Sequence, residues 1–142
     1  MIEMNDFNRQ IIAEFRANDG KCGGMFEGSD MLILHTLGAK SGQVRQNPLV
    51  HRQEGETYYI FASKGGAPTN PDWYRNVVAN PDATIEVGAE SIAVHARLLT
   101  GDERDAVFDR HKERYPNFAE DEAATTRVIP VVALDPAGTA LE

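Results

Sequence analysis

The sequence has little cysteine, no long hydrophobic run and fewer positive than negative charges. Its single cysteine, Cys22, excludes an internal disulfide and any zinc or iron–sulfur cluster built from several cysteines, so a reducing cytoplasm is expected. No apolar run approaches the ~20 residues that cross a bilayer, and the N-terminus lacks the basic start and apolar centre of a signal peptide. Because Asp and Glu number 22 against 14 Lys and Arg, we do not expect nonspecific binding to nucleic acid.

Several common catalytic motifs are also missing. The sequence contains no G-x-G-x-x-G after a predicted strand, no G-x-x-x-x-G-K-[ST] and no G-x-S-x-G. Four histidines show no paired metal-ligand spacing, so no metal is expected and packing or surface roles are favoured for His35, His51, His95 and His111. An enzyme with this sequence would take its chemistry from an organic cofactor.

The chain of 142 residues suffices for one domain, and 42% hydrophobic and 25% charged residues are typical of a globular protein. Met4, Phe7, Ile11 and Phe15 form one apolar stripe at helical spacing. That stripe can dock on the protein body, on a second subunit or on a membrane surface. We expect docking on protein, because the opposite face lacks the basic character of membrane-surface helices.

The remaining chain alternates between strand and helix patterns, with Gly-rich turns between them. Asn70 and Pro71 are typical of the cap and first position of a helix reaching about residue 78. Two further helices are predicted, one ending near Arg114 and a short one at 120–125. The predicted strands span 31–37, 44–52, 57–62, 84–87, 91–99 and 128–134. About six mostly antiparallel strands with a few flanking helices predict an α+β fold with a closed or nearly closed barrel.

Positive charge is concentrated in one part of the chain. Residues 38–76 hold five basic and three acidic residues, a net +2, and the other residues total −10. Lys40 and Lys64 each adjoin Gly-rich turns whose backbone amides can converge on an anion, and Arg45 lies between them. Lysine and glycine are also common in ordinary surface turns. Both an anion-binding site and two surface turns without a ligand therefore stay open. An anionic ligand with a flat apolar part would gain further binding energy, and Trp73 and Tyr74 are candidates to cover that part.

Three motifs resemble the deazaflavin (F420)-dependent nitroreductase family. Residues 36–49 (TLGAKSGQVRQNPL) are similar to its T-x-G-x-K-[ST]-G-x-x-R-x-N-P-L motif, residues 62–66 to A-S-K-G-G, and residues 70–76 (NPDWYRN) to N-P-x-W-Y-x-N. A shorter match at 127–131 (RVIPV) continues the similarity. The resemblance covers roughly residues 32–136 in the family's order, which makes it far more specific than any one motif.

The resemblance implies a split β-barrel related to FMN-binding oxidoreductases. Residues 1–24 would form an N-terminal amphipathic helix and Gly-rich loop, and residues 25–142 the deazaflavin-binding barrel, as one domain overall. The implied hydride carrier is coenzyme F420, whose phosphate and acidic tail would lie near Lys40, Ser41 and Arg45. The implied cofactor-binding residues are Ala39, Lys40, Ser41, Arg45, Gln46, Asn47, Pro48, Leu49, Val50, Phe61, Ala62, Ser63, Lys64, Asp72, Trp73, Tyr74, Arg75 and Asn76.

The resemblance also implies hydride transfer to an electron-poor small molecule, such as a quinone, an enone or unsaturated lactone, or a nitro compound. Ser63 and Tyr115 are the candidate proton donors or substrate-positioning residues, with structural roles left open, and Tyr115 and Phe118 the candidate substrate pocket. Phe118 and Asp121 stand where some nitroimidazole reducers of the family carry tyrosines. We therefore do not expect efficient activation of nitroimidazoles.

Two alternatives to this function stay open: an FMN-dependent reductase on the same fold, and a non-catalytic carrier of F420 or a lipid-like ligand. The combined charge of Lys40, Arg45 and Lys64 exceeds what one phosphate needs and favours F420. The expected partner is a small-molecule electron acceptor, and the expected assembly a monomer or homodimer. The expected location is cytoplasmic, with weak peripheral membrane contact through the N-terminal helix as an open alternative.

Overall fold

Six antiparallel strands close into a barrel in the order β1-β2-β3-β6-β5-β4, with β4 pairing back onto β1. This computed structural model describes residues 6–137. The strands are β1 (Met31–Leu37), β2 (Val44–Glu54), β3 (Thr57–Phe61), β4 (Asp82–Val87), β5 (Glu90–Leu98) and β6 (Val131–Pro136). The helices are α1 (Asp6–Ala17), α2 (Asp72–Ala79), α3 (Gly101–Arg114) and α4 (Asn117–Ala123). The predicted α+β barrel is confirmed.

The barrel is split along β2. Residues 44–50 of β2 pair with β1. Of the residues of β2, only the last four, 51–54, pair with β3 within the described chain. Pro48 lies opposite Ile33 of β1, on the stretch of β2 whose other edge has no β3 partner among residues 6–137. The sequence predicts either an edge position or a bulge for Pro48, because proline has no amide proton to donate, and the structure has the edge position.

The apolar run in β1 is buried on both faces of the sheet. Successive side chains of a strand point to opposite faces, so Leu32 and Leu34 enter the barrel interior. Met31 and Ile33 point outward and are covered by α1, in a second cluster. β6 follows the same pattern, with its outward face covered by residues of α3 and α4.

Helix α1 packs on the barrel. Its buried side chains Ile11, Ile12 and Phe15 contact the outer face of β1, which agrees with the expected docking on protein. Phe7 is half exposed, with its ring 6.2 Å from that of Phe26, and Met4 of the predicted stripe lies outside the described residues. None of the helices between residues 6 and 137 combines the length and apolarity needed to cross a membrane.

The start of α2 corrects one prediction. The helix begins at Asp72, and no cap is formed by the Asn70 side chain, whose Oδ1 instead accepts a hydrogen bond from Arg127. Pro71 occupies the capping position with an extended backbone. Asn70 therefore contributes to a loop contact rather than to the helix terminus.

The last helix and strand are also displaced from their predicted bounds. Helix α4 begins at Asn117 rather than near residue 120, because Pro116 suits the helix start. Strand β6 begins at Val131 rather than at residue 128, since Pro130 has no amide proton and the Ile129 carbonyl accepts hydrogen bonds from Arg104.

Candidate functional site

A polar cleft of about 750 Å³ lies where the turn after β1 meets the start of β2 and the first turns of α1 and α2. Its lining consists of short polar, glycine and basic residues from these four segments. The lining residues are Asn8, Gly38, Ala39, Lys40, Ser41, Arg45, Gln46, Asn47, Asp72, Arg75 and Asn76. Nine of the predicted cofactor-binding residues are thus brought together in one cleft.

The turn that carries Lys40 is fixed by local hydrogen bonds. Gly38 N–H donates to Gln43 O over 2.7 Å, and Gly42 N–H donates to Gly38 O over 2.9 Å. A Cβ at Gly38 would lie 2.6 Å from Ser41 Oγ, so a larger residue here would displace the Ser41 hydroxyl. Gly42 has a φ of +71°, a conformation that glycine adopts readily. The motif glycines therefore shape the turn that presents Lys40.

Asn76 connects this turn to α2. Its Oδ1 accepts a hydrogen bond from Ala39 N–H over 2.9 Å, and its Nδ2 donates to Thr36 Oγ1 over 3.1 Å. Asn76 and Thr36 are both buried. Because buried hydrogen bonds of this kind are costly to leave unmade, Asn76 holds one wall of the cleft in place.

The cleft presents positive charge with an unused donor. Arg45 Nη1 is buried and, among residues 6–137, has no hydrogen-bond partner. Its Nη2 lies 3.5 Å from Ser41 Oγ, a long contact. Arg75 contacts Asp72 at 3.3 Å, and Lys40 is exposed in the same lining. Since a buried guanidinium nitrogen without a partner is unfavourable, Arg45 fits an anionic group that enters this cleft.

A second, apolar group of side chains lies near the other end of β1. His111 is fully buried and stacks on Phe61, with ring centroids 3.8 Å apart, and Phe118 packs edge-on to both rings. Tyr115 Oη accepts a hydrogen bond from Asp30 N–H over 2.9 Å, and burial raises the pKa of its phenol. The predicted substrate-pocket residues Tyr115 and Phe118 therefore share one cluster with a histidine that the sequence analysis left to packing.

Ser63 lies beside α4. Its hydroxyl hydrogen-bonds to the Asp121 carboxyl, and burial raises the pKa of that carboxyl despite this contact. Ser63 precedes a single 3₁₀ turn, Lys64–Gly66, in which Lys64 Nζ donates to Thr69 Oγ1 over 3.2 Å. Lys64 is exposed and is absent from the lining of the polar cleft.

The polar cleft and the apolar cluster lie at opposite ends of β1. Lys40 follows the end of β1 and Asp30, the partner of Tyr115, precedes its start. The 7 residues of β1 correspond to about 20 Å of strand. The edge of β2 that lacks a β3 partner within the described chain runs between the two ends. This arrangement suits an elongated ligand with an anionic end and an apolar end.

Several predicted cofactor-binding residues lie outside the polar cleft. Trp73 and Ala62 are buried in the barrel interior, and Phe61 in the apolar cluster. Leu49 and Tyr74 pack against the interior, and Val50 against the two outer clusters. Contact of these residues with a cofactor stays a prediction.

Two residues beside the site were not identified from the sequence. Asn8 of α1 lines the cleft, and its position on the polar face of a helix carries no functional signal. Arg127 contacts the segment after β3 through three hydrogen bonds. The only signal for Arg127 was its place in the RVIPV match.

Other groups with metal-binding or nucleophilic chemistry have ordinary contacts. His35 Nε2 lies 2.5 Å from Glu86 Oε2, and His95 Nδ1 lies 2.9 Å from Asp82 Oδ1. Cys22 is buried beneath α1. Among residues 6–137, no group of three His, Cys, Asp or Glu side chains is placed to hold a metal ion.

Comparison with known proteins shows extensive similarity. The family model described as F420H(2)-dependent quinone reductase matches residues 7–136. An F420H(2)-dependent quinone reductase of Mycobacterium tuberculosis (strain ATCC 25618 / H37Rv) is 38% identical over 129 residues, which cover 86% of this chain and 85% of the relative.

Solved structures extend this similarity to the fold. The structure of an F420-H2 dependent reductase is 39% identical, with a TM-score of 0.69, and the match covers 75% of this chain and 94% of that chain. A second structure, described as a domain-swapped dimer, is 36% identical, with a TM-score of 0.71, and the match covers 89% of this chain and 93% of that chain.

Proposed function

The chain belongs to the F420H(2)-dependent quinone reductase family, and we propose that it uses reduced coenzyme F420 to reduce quinones. The polar cleft is the observation in this chain that best supports the proposal. Its Arg45 Nη1 is buried and has no hydrogen-bond partner within residues 6–137. An anionic cofactor tail would supply that partner. The sequence suggests quinones, enones or unsaturated lactones, and nitro compounds as acceptors. Of these, the family name supports quinones.

The cofactor would be held by residues of the cleft. Lys40 and Arg45 supply positive charge, and Ser41 adds a hydroxyl in the same turn. Arg75 of α2, although paired with Asp72, lines the same cleft. Several charge-assisted contacts of ~1.5–3 kcal/mol each would fix the anionic tail, so the apolar end of the ligand can be oriented at the other end of β1.

Bound F420H2 supplies a hydride for an electron-poor carbon of the acceptor. The chain's own task is to orient donor and acceptor and to stabilise negative charge that develops on the acceptor oxygen. Phe61 and Phe118 exclude water at the apolar end, which strengthens electrostatic interactions there. Ser63 Oγ and Tyr115 Oη hold protons near this end, and we keep them as the candidate donors.

The experiment that tests this function is a titration of the purified protein with F420 and with FMN. Oxidation of F420H2 is then followed with menadione as acceptor. We expect F420 binding and menadione-dependent oxidation. Exclusive FMN binding contradicts the proposal, and F420 binding without acceptor-dependent oxidation indicates a carrier.

Removal of the cleft charges tests the placement of the cofactor tail. We expect Arg45→Ala to raise the Kd for F420 about tenfold or more, in line with the loss of charge-assisted contacts. Salt should weaken F420 binding of the unmodified protein mainly through Lys40, which is exposed, and less through the half-buried Arg45, because buried pairs are screened less. Lys21→Ala is the matched control, since Lys21 is an exposed lysine that is absent from the cleft lining. Equal affinities of Arg45→Ala and the unmodified protein contradict this placement.

The assembly and location of the protein also stay proposals. A solved relative described as a domain-swapped dimer supports testing for a homodimer by light scattering, against a monomer. The packing of Ile11, Ile12 and Phe15 on the barrel supports a cytoplasmic protein over peripheral membrane contact through α1. Co-sedimentation with anionic vesicles tests the location. Vesicle binding that is lost when α1 is changed would contradict a purely cytoplasmic protein.

A further inference from the structure

Arg127 binds the segment that joins β3 to α2 through all three of its guanidinium nitrogens. Nη1 donates to Asn70 Oδ1 over 2.7 Å, Nη2 to Ser63 O over 2.8 Å, and Nε to Ala67 O over 2.9 Å. These acceptors lie 57 to 64 residues away in the sequence. They span residues 63–70, so one side chain contacts both ends and the middle of the segment.

This segment has an unusual backbone. Lys64, Gly65 and Gly66 have φ values of +50°, +63° and +83°, and a left-handed conformation is unfavourable for a lysine. Within the segment, Gly66 N–H donates to Ser63 O over 2.9 Å and Ala67 N–H donates to Lys64 O over 3.1 Å. These two backbone hydrogen bonds are few for such a strained turn, and the three contacts of Arg127 add support from outside the segment.

Helix α4 encloses the segment from another side. A Cβ at Gly66 would lie 2.8 Å from both Asp121 O and Ala124 Cβ, so the turn is packed tightly against this helix. The same helix provides the Asp121 carboxyl that hydrogen-bonds to the Ser63 hydroxyl. The position of Ser63 is therefore determined by α4 through its side chain and by Arg127 through its carbonyl.

We propose that Arg127 is a positioning residue for hydride transfer, which fixes residues 63–70 so that Ser63 is presented to the acceptor. The proposal rests on the proposed function, because it takes Ser63 to lie at the reaction site. Three of the five guanidinium N–H groups of Arg127 are bound to the segment, so the proposal gives Arg127 a positioning role rather than a contact with the ligand. Its effect would appear mainly in kcat, because small displacements of reacting groups lower the rate strongly.

Arg127→Ala and Arg127→Lys test the proposal, with Arg104→Ala as the matched control. Arg104 is a largely buried arginine that donates to Ile129 O, two residues from Arg127. Its side-chain hydrogen bonds and ion pairs within residues 6–137 go to Ile129, Asp105 and Glu122, outside the segment 63–70. The measurements are kcat and KM for F420H2 with menadione, and hydrogen exchange at the Gly66 and Ala67 amides. Lysine keeps the charge but cannot make three planar contacts.

We expect Arg127→Ala to lower kcat by about tenfold to a hundredfold with a smaller change in KM, and to accelerate exchange at Gly66 and Ala67. Arg127→Lys should be intermediate, and added guanidinium should partly restore Arg127→Ala alone. Arg104→Ala should keep both kcat and the two exchange rates. If Arg127→Ala does not fold, Arg127→Lys carries the same test.

Unchanged exchange in the Arg127 variants overturns the proposal, as does faster exchange with unchanged kcat, or an equal loss of kcat in Arg104→Ala. Failure of the proposed function has a different signature. In that case the unmodified protein neither binds F420 nor oxidises F420H2, while the exchange rates still report whether Arg127 holds the segment.

Discussion

Arg16 and Glu86 lie 70 residues apart in sequence, and the Arg16 guanidinium donates to both carboxylate oxygens of Glu86, over 2.7 and 3.1 Å. His35 Nε2 contacts the same carboxylate. Glu86 thereby joins α1 to β1 and β4. Because Asn8 of α1 lines the polar cleft, this contact also holds one wall of the cleft.

Glu86→Gln should destabilise the protein by about 1 kcal/mol at neutral pH, a modest value because the Arg16 side chain is 48% exposed. The hydrogen bond from Arg16 lowers the pKa of the Glu86 carboxyl from 4.5, against the opposing effect of burial. A lowered pKa contributes stability above pH 4.5 that is lost as the pH falls through the folded-state value. Urea unfolding at pH 7 and below pH 4.5 measures this.

The control for Glu86→Gln is Asp82→Asn on the same strand, where the contact with His95 is largely exposed and contributes little. A difference between Glu86→Gln and the unmodified protein that persists unchanged in acid would contradict the assigned role of the carboxylate.

Burial lowers the pKa of His111 to about 3, assisted by the positive charge of Arg52. Among residues 6–137, neither of its ring nitrogens has a hydrogen-bond partner. The folded protein therefore disfavours the imidazolium, while the unfolded chain accepts a proton near pH 6.5. Stability is complete above pH 6.5 and falls as the pH drops toward 3, by about 2 kcal/mol at pH 5.

His111→Leu should remove most of this pH dependence and leave stability at pH 7.5 equal or higher, because an apolar side chain needs no buried partner. Burial also lowers the pKa of His51. The stability of His111→Leu should therefore still fall somewhat as the pH drops. His95→Gln is the control, since His95 is exposed and contacts Asp82 at the surface. Chemical denaturation at pH 5 and 7.5 tests this, and an unchanged slope in His111→Leu is the contrary result.

Much of the fold follows from sequence periodicity. The apolar run 31–37 coincides with β1, and the unusual burial of both its faces explains why it lacks alternation. The predicted stripe of α1 contains Ile11 and Phe15, which pack on β1 as expected. Errors arise where a long-range contact overrides a local preference. Asn70 is a good helix cap by composition, yet its side chain is bound by Arg127 instead.

The site is only partly predictable for the same reason. Lys40, Ser41 and Arg45 are close in sequence, so one motif identifies one turn, and the cleft is found there. Asn8 joins that cleft through the docking of a helix distant in sequence, and no local pattern marks it. His111 has an unremarkable sequence context, and only its burial between Phe61 and Phe118 reveals the absence of partners for its nitrogens within the described chain.

Tyr115→Phe should lower stability by about 1–2 kcal/mol, since it removes the acceptor for the Asp30 amide. If the phenol also donates a proton, kcat falls while KM for F420H2 changes little. Tyr59→Phe is the control, because Tyr59 is a buried tyrosine of the same cluster whose hydroxyl lies among the charges of Glu54 and Arg97. Thermal unfolding and steady-state kinetics separate the two effects, and an unchanged kcat contradicts the catalytic role.

Gly65 and Gly66 form a matched pair for testing the packing of α4 on the turn after β3. Both have positive φ, but a Cβ at Gly65 meets nothing within 4 Å, whereas one at Gly66 lies 2.8 Å from Asp121 O and Ala124 Cβ. Gly65→Ala should cost ~1 kcal/mol of unfolding free energy for its backbone conformation. Gly66→Ala should cost ~1–3 kcal/mol more, because α4 must move. Equal costs in urea unfolding would show that α4 yields freely at this contact.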